Sequence, residues 1–554
     1  MTLKSPTKGG QLAPAPAAQA KSTSPWSAFH HKTFTVVWIA TLASNIGSWM
    51  YSAASGWLMV SLKPDPIMVS MVQVATSLPM FLFALPAGAL ADIIDRRRFL
   101  VVVEILITLI STIFAFLVWG DGVTPKVLLI FTFLAGVAAA LEAPAWEAIV
   151  PALVPKRDLG AAVVANGVGV NISRAIGPAL AGILVSAWGI AAPFWLNAVS
   201  NVGVVAALAW WRSPQKVART LPAERFIDAN RSGLRYAKND PPLRATLMRA
   251  VGFFLFASAY WALLPLVART QIGGGAELYG LLLGGIGIGA LLGAYLLPWL
   301  GHRLGPNRLV DVSTVGTALS LLLYGLAHEP LVALAASLLA GISWICVLST
   351  LNVSAQVALP EWVRARGLAV FVVFVFGALT LGSVLWGYLA GMIGLSHTNF
   401  VAAAGLLVAL PLTWRWKLLT ALGADLAPSM HWPAPTAVHD VEADQGPVMV
   451  TVEYRIDPKN RKQFLQALDR VERERRRDGA YAWCVFEDAA EEGRMIETFL
   501  VESWTEHLRQ HDRVTNADRL IEEKVLHFDI HGPPRVTHLI AADADRVHVK
   551  KSPK

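Results

Sequence analysis

Ionisable residues that lie inside otherwise apolar stretches of the chain include Glu104, Glu142, Glu147 and Arg174. Charged side chains are costly in hydrocarbon, so such residues are functional candidates. Glu142, the deepest carboxyl group, suits either a site that takes up and releases a proton or an ion pair with Arg174. Glu147 is more typical of a structural role and is the other candidate partner of Arg174. Glu104 suits either pairing with a nearby arginine loop or a central role.

A second set of reactive side chains lies near the C-terminus. Trp504, His507 and His511 are spaced by three and four residues, which places them on one face of a helix. Two histidines are too few ligands for a metal site, so no metal is predicted. Core packing or dimerisation, ligand sensing and catalysis remain as roles for these three residues.

Polar and amphipathic side chains inside the apolar stretches are candidates for lining a substrate cavity. They are Asn45, Trp49, Gln73 and Asn166. The amides of Asn45 and Gln73 suit hydrogen bonding to a ligand, whereas many other tryptophans are typical of interfacial anchors.

The stretch GALADIIDRRR at 88–98 must fit into a short loop between two apolar segments. Gly88 allows close helix approach, and Asp92 can accept from a helix N-terminus or an arginine. Arg96, Arg97 and Arg98 place the loop on the cytoplasmic side of a membrane. A conformational gate and a generic positive loop are both compatible with these residues.

Apolar segments of membrane-spanning length must position all of these residues. The 554-residue chain is 55% hydrophobic and only 16% charged, which is too apolar for an ordinary soluble protein. About 20 apolar residues suffice to cross a bilayer. Twelve stretches meet this criterion: 34–60, 67–91, 99–119, 127–150, 161–188, 190–211, 246–269, 276–300, 307–327, 331–357, 367–393 and 396–416.

The positive residues concentrate in alternate loops, so the net charge of +8 does not indicate a nucleic-acid partner. This asymmetry predicts a multi-pass protein of the inner (plasma) membrane, in contact with the lipid bilayer, with both termini in the cytoplasm. One of the two cysteines, Cys346, lies in a span and the other, Cys484, in the soluble tail, which argues against an intramolecular disulfide.

The spans divide into two six-helix halves, 26–211 and 246–417, around a basic connection at 212–245. A faint repeat supports homologous halves, because the loops at Asp92 and Gly301 are 209 residues apart. The second loop lacks the acid, so a gating role is better supported in the first. Outside the halves we predict a disordered tail at 1–25, a linker at 418–447, a soluble domain at 448–541 and a basic tail at 542–554.

The soluble domain shows the alternating pattern of strands at 448–456, 481–487, 495–502 and 535–540. Charged helical patterns occupy 458–477 and 504–526, the latter with a break near Thr515. This βαββαβ order is the ferredoxin-like plan. The predicted fold is therefore an all-α polytopic membrane protein with a small α+β domain at its C-terminal end.

The loop at 88–98 resembles the G-x-L-x-D-R-x-G-R-K/R signature of major facilitator superfamily transporters, with Asp95 where the pattern usually has glycine. The phrase EAPAWEAIVP at 142–151 resembles the enterobactin-exporter-like branch, also called transmembrane secretion effectors. The resemblance implies alternating access of two halves around a midplane cavity. It also implies proton-driven efflux of a hydrophobic or amphipathic siderophore, metabolite or drug, with uptake as the alternative direction. The proton gradient is then the energy source and no cofactor is expected; no Walker A sequence supports direct use of ATP.

The sequence GPALAGI at 177–183 resembles the G-P-x-x-G-G element of antiporter-type members of the superfamily. The resemblance implies that Gly177, Pro178 and Gly182 kink and closely pack the fifth span. The match is partial, because Ile183 stands in place of the last glycine. The arginine expected in span four of drug/proton antiporters is not found at 133–140.

The sequence ESWTEHLRQH at 502–511 is similar to antibiotic-biosynthesis-monooxygenase-like domains, which usually pair as dimers. This resemblance implies dimerisation through the C-terminal domain. It also defines the rival function, a membrane-tethered monooxygenase-like enzyme that uses the helices as a carrier or anchor. Twelve spans exceed what tethering requires, so we predict a transporter and not an enzyme.

Overall fold

The computed structural model describes residues 26–211, 226–419, 425–432 and 445–542. The side chains of residues 89, 91–93, 148, 156 and 226–230 lie outside this description. The predicted tail at 1–25 and residues 543–554 of the basic tail also lie outside the described residues. The same is true of the side chain of Asp92, so its predicted role in the loop stays a prediction.

Long helices make up the main body of the chain. The first half contains α1 Lys32–Leu62, α2 Pro66–Ile93, α3 Arg96–Trp119, α4 Pro125–Leu153, α5 Leu159–Trp188 and α6 Ala192–Trp210. A shorter helix, α7 Phe226–Asn239, belongs to the connection. The second half contains α8 Pro241–Leu266, which continues as a π-helix over Val267–Gln271, then α9 Ala276–Leu326, α10 Pro330–Val357, α11 Arg364–Ile393 and α12 Leu395–Thr413.

Ten helices in the described part of the chain are long and apolar enough to cross a membrane. One of them, α9, contains Gly305 in a non-helical conformation with φ 69° and ψ 168°, where two helices meet at a kink. Separating these two helices and adding α1, which is 31 residues long and packs against α5 and α6, gives twelve spans. The helical body therefore agrees with the predicted twelve-helix architecture.

Polar caps and prolines explain where several of these helices begin. Asp65, Thr124 and Asp240 accept hydrogen bonds from backbone N–H groups in the first turns of α2, α4 and α8, and proline occupies the first helical position in each case. Asp95 caps α3 in the same way by accepting from the N–H of Arg98 at 2.9 Å. The residue that departs from the superfamily signature therefore has a local structural role.

The two halves pack against each other through α2 with α11 and through α5 with α9. We call the side where α2 and α4 end the basic face, and the side where α1 and α3 end the far face. The contacts between the halves lie toward the far face, where Ser77 hydrogen-bonds Thr380 at 2.8 Å and Arg269 donates to Ser61 at 2.8 Å. The far face is therefore closed in this structure.

The C-terminal domain contains β1 Val448–Arg455, α13 Arg461–Arg477, β2 Tyr481–Glu487, β3 Arg494–Val501, α14 Trp504–Arg513, α15 Asn516–Leu526 and β4 Arg535–Ile540. Its antiparallel sheet has the strand order β2-β3-β1-β4, with Val448 opposite both Val501 and Ile540. This is the ferredoxin-like arrangement. The helices cover one face of the sheet through a core that includes Val452, Phe464 and Leu468.

Helix α7 joins this domain to the helical body. Tyr236 is buried and donates to the carbonyl oxygen of Ala358 at 3.1 Å, which fixes α7 on the second half. On its other side, Arg235 pairs with Glu506 of α14 at 3.1 Å. The guanidinium of Arg513 stacks over Trp362, 4.5 Å from the ring centroid. The predicted amphipathic connection thus forms the attachment of the C-terminal domain.

Candidate functional site

The deepest ionisable groups of the first half form a pair of carboxyls. Glu104 of α3 is 2% exposed, and its carboxyl group lies close to that of Glu142 of α4. Two ionised carboxylates brought close together away from water repel each other, so such a pair favours holding a proton. The structure thus places Glu104 beside Glu142 of the neighbouring helix, and the predicted pairing of Glu104 with the arginine loop stays a prediction.

Arg174 forms neither of the ion pairs that the sequence suggests. Its guanidinium carbon lies 5.3 Å from the ring centroid of Trp49, and its Nε and Nη1 atoms are buried without a hydrogen-bond partner. A cation over an indole face gains electrostatic stabilisation without a carboxylate. Trp49 does not line the pocket described below, and its predicted role in a substrate cavity stays a prediction. Glu147 is exposed and does not pair with Arg174 among the described ion pairs.

A small pocket lies between α1, α4 and α5. It brings together two of the predicted cavity residues, Asn45 and Asn166, although they are far apart in the chain. Its walls are otherwise aromatic and apolar with one hydroxyl, and they include Trp38, Thr41, Leu42, Trp146, Gly169 and Val170. All three helices contribute their ends near the basic face, so the pocket lies on the side where the halves are not joined.

The pocket also includes Trp38, Thr41 and Trp146, which were not predicted from the sequence. Helical spacing could have identified the first two, because 38, 41 and 45 lie on one face of α1. Trp146 lies one turn after Glu142 on α4, which places the pocket beside the carboxyl pair. Gln73 is not part of this pocket: its carbonyl oxygen accepts from Ser77, next to the contact between the halves.

Glycines allow α5 and α9 to approach closely. A Cβ atom at Gly177 would lie 2.6 Å from the Cβ of Trp49, and one at Gly182 would lie 2.7 Å from the carbonyl oxygen of Ala276. The carbonyl oxygen of Pro178 would meet a Cβ at Gly280 at the same distance. The element formed by Gly177, Pro178 and Gly182 thus lies in close contacts on both sides of α5.

The loop between α2 and α3 is tied to the end of α6. Arg97 donates from Nε to the carbonyl oxygen of Leu208 at 2.9 Å and from Nη2 to that of Ala209 at 2.7 Å. These bonds satisfy carbonyl groups at a helix C-terminus. A Cβ at Gly88 would meet nothing within 4 Å, which corrects the expected close packing at this residue.

The second half has an acid–base contact at the same face that the sequence analysis missed. Arg249 of α8 pairs with Asp311 of α9 at 2.8 Å and donates from Nε to the carbonyl oxygen of Trp416 at 2.8 Å. The amide oxygen of Asn307 accepts from the backbone N–H of Leu418 at 2.9 Å. The sequence feature that could have predicted this ion pair is Asp311, an acid within the apolar stretch 307–327, whereas the loop after Gly301 has no acid.

The histidines of the C-terminal domain are close together. The Nε2 atoms of His507 and His511 are 3.4 Å apart, and the ring of Trp504 lies 5.6 Å from that of His507. Burial lowers the pKa of His507 to about 4 and also lowers the pKa of His511, so both rings are neutral near pH 7.

The predicted helix at 504–526 is divided between α14 and α15, where Thr515 and Asp518 form a capping box.

Two six-helix halves that pack through α2 with α11 and α5 with α9, with a pocket open toward one face, define a transporter of the major facilitator superfamily. The chain belongs to the family of transmembrane secretion effectors, whose model matches residues 23–546. This match extends over the C-terminal domain as well as the helical body. The resemblance of that domain to monooxygenase-like domains stays a prediction.

Several characterised transporters are similar to this chain. The staphyloferrin A transporter of Staphylococcus aureus (strain NCTC 8325 / PS 47) is 24% identical over 360 residues, covering 64% of this chain and 88% of that protein. The enterobactin exporter EntS of Citrobacter koseri is 25% identical, covering 68% of this chain and 90% of that protein. The multidrug efflux pump Tap of Mycolicibacterium fortuitum is 25% identical, with coverages of 66% and 91%.

Solved structures share the fold. A bacterial homologue of the iron transporter ferroportin, in an inward-facing state, matches with a TM-score of 0.55 and 17% identity over 70% of this chain and 98% of that chain. A bacterial homologue of the human lysosomal transporter Spinster, inward-facing and unoccupied, matches with a TM-score of 0.52 and 13% identity over 71% and 97%. The family and these relatives are transporters and do not support the rival enzymatic function.

Proposed function

We propose that this chain exports amphipathic small molecules from the cytoplasm in exchange for protons. The observation that carries the proposal is the contact between Glu104 and Glu142, one turn from the pocket residue Trp146. A carboxyl pair that shares a proton can release it to one side of the membrane and regain it from the other. A substrate would bind in the pocket beside the carboxyl pair, where its binding and the protonation of the pair would influence the same conformational change.

The proposed orientation places the basic face and both termini in the cytoplasm of a bacterial inner membrane. The positive residues of the alternate loops and the siderophore and drug exporters among the relatives support it. In this orientation the structure is inward-facing, because the halves are joined at the far face by the contacts of Ser77 and Arg269. The pocket is then accessible from the compartment in which a metabolite or siderophore is made.

The lining of the pocket supports an amphipathic substrate class. Trp38 and Trp146 provide aromatic faces, and Asn45 and Asn166 provide amide donors and acceptors. A siderophore, macrolide or comparable drug combines apolar surface with hydrogen-bonding groups. The names of the relatives, which include a macrolide efflux protein of Streptococcus pyogenes, support the same class.

The proposed cycle uses the residues of the first half. Substrate enters from the cytoplasm while the carboxyl pair holds its proton, and loss of that proton to the cytoplasm accompanies closure of the basic face. The separation of Ser77 from Thr380 then opens the far face. There the substrate leaves and the pair is protonated again, which favours return to the inward-facing state.

Accumulation of lipophilic dyes, macrolides and siderophores in efflux-deficient bacteria that express the chain tests this function. We expect lower accumulation of one substrate class, and we expect a protonophore to abolish the difference. Higher accumulation would indicate uptake and overturn the direction. Unchanged accumulation across the panel, with membrane expression confirmed, would overturn the proposed substrate class.

We further propose that the C-terminal domain pairs with a second copy through the sheet face that its helices leave uncovered. Exposed Phe486 and Leu539 lie on strands of this sheet. Cross-linking of a single cysteine at Leu539 in membranes would yield dimers. This pairing would be contradicted if the cysteine variant gave no cross-linked dimer and light scattering showed the wild-type protein to be a monomer under the same conditions.

A further inference from the structure

A third histidine completes the cluster in the C-terminal domain. His538 of β4 joins His507 and His511 of α14, and one ring nitrogen of each lies within 4.8 Å of the others. The ring centroids of His507 and His538 are 4.7 Å apart, and those of His507 and His511 are 4.9 Å apart. The sequence analysis counted only the two histidines of α14, because His538 is brought to them by the pairing of β4 with β1.

One separation between these nitrogens matches a tetrahedral metal site, and all three lie within 4.8 Å of one another. Nitrogen ligands about 2.1 Å from a tetrahedral ion stand about 3.4 Å from one another, and the Nε2 atoms of His507 and His511 are 3.4 Å apart. Three imidazoles leave a fourth position for water or another ligand. Imidazole ligands suit divalent ions from Fe²⁺ to Zn²⁺.

Neighbouring groups orient the rings for such a role. Gln510, which is 1% exposed, accepts from Nδ1 of His507 at 3.3 Å. This tautomer leaves the lone pair of Nε2 directed at the other two histidines, and an outer hydrogen bond of this kind is typical of histidines that bind metal. The alternative is a hydrogen bond from Nε2 of His511 to Nε2 of His507.

Aromatic side chains enclose the cluster. The ring of Trp504 lies 6.2 Å from that of His538, and the ring of Trp432, from the linker, lies 5.1 Å from that of His511. Trp432 is held in place by a hydrogen bond from its Nε1 to Glu522 at 2.9 Å. The two indole rings therefore form part of the surroundings of the three histidines.

We propose that His507, His511 and His538 form a binding site for a divalent transition metal, with an exchangeable fourth ligand. The site lies on α14, whose Glu506 joins the domain to Arg235 of α7. A bound ion would hold β4 to α14 at this attachment. Metal binding does not depend on the proposed export function, so the two are tested separately.

Metal titration of the purified full-length protein in detergent tests the site. The protein is first freed of metal, and Zn²⁺ is then titrated against a chromophoric chelator. We expect one saturable site per chain, and we expect Co²⁺ to give the absorption bands of a tetrahedral nitrogen site. His538→Gln and His507→Gln should each weaken binding at least tenfold. His527→Gln and His531→Gln, which change exposed histidines of the same domain, should bind as the wild type does.

Circular dichroism and thermal unfolding of each variant distinguish loss of ligands from loss of folding. We expect Zn²⁺ to raise the unfolding temperature of the wild type and of the control variants only. Stoichiometric binding that persists in His538→Gln would overturn the proposal. Absence of a site in the folded wild type would do so as well, and would identify the cluster as a hydrogen-bonded histidine pair with a neighbouring ring.

Discussion

The two halves of the helical body share a plan but differ in where their charges lie. The first half holds Glu104, Glu142 and Arg174 within its spans and forms the pocket with the asparagines. In the second half, the ion pair of Arg249 with Asp311 lies at the ends of helices. In the most apolar stretch of the span Pro241–Gln271, 72% of the residues are buried, against 28% for Pro125–Glu147 in the first half and also 28% for Leu395–Thr413 in the second.

This difference indicates a division of labour between homologous halves. A more closely packed half favours a rigid frame, because every side chain that moves would leave a void. The half with fewer packing contacts can accommodate a substrate and a proton. The predictions below change one half at a time.

The largest effect is expected from the carboxyl pair. Glu142→Gln and Glu104→Gln each remove a group that releases a proton, so export driven by a proton gradient should fall to background in membrane vesicles. Glu147→Gln on the same helix is the matched control, because Glu147 is exposed. If the Glu142→Gln variant exported substrate with the wild-type pH dependence, the coupled proton would not be carried by the first half.

The ion pair of the second half should matter for stability rather than coupling. Breaking a fully buried pair costs about 3–5 kcal/mol; Asp311 is partly exposed, so Asp311→Asn should lower the free energy of unfolding by about 2 kcal/mol. Thermal unfolding in detergent measures the change. Loss of proton coupling without loss of stability in this variant would break the proposed division between the halves.

A smaller effect is expected from the pocket amides. Asn45→Ala and Asn166→Ala each remove hydrogen-bonding groups worth about 1 kcal/mol, so the KM for export should rise roughly fivefold. The maximal rate and its pH dependence should stay near those of the wild type. Asn399→Ala, in α12 of the second half, is the control, and an equal rise in its KM would show that the effect is not local to the pocket.

The contact between the halves at the far face should give the smallest change. Thr380→Val keeps the shape of the side chain but removes its hydrogen bond to Ser77, which contributes about 1 kcal/mol. The equilibrium should shift roughly fivefold toward opening of the far face. Spin-label distances across that face would report the shift, and an unchanged distance distribution would show that this bond does not hold the halves together.

The sequence predicts the helices because their signals are local. Apolar runs of sufficient length, together with Asp65 and Thr124 before prolines, specify spans and their starts. The strand order of the C-terminal domain also follows from the order of its elements. Asn45 and Asn166 could be predicted as pocket residues because amides are rare inside apolar stretches.

The pairing of side chains could not be predicted in the same way. Whether Glu142 meets Glu104 or Arg174 depends on the rotation of three helices about their axes, which no local pattern specifies. The partner of Arg249 lies in another helix, and His538 reaches α14 only through the sheet. Such contacts depend on tertiary packing.

The position of α7 has a consequence for the motion of the molecule. Its Tyr236 is fixed to the second half, and its Arg235 holds α14 of the C-terminal domain. Arg513 of that domain also rests on Trp362, which belongs to the second half. When the halves rock, the C-terminal domain therefore moves together with the second half. A fluorophore on this domain would keep its distance from α11, whereas its distance from α3 would change with every transport cycle.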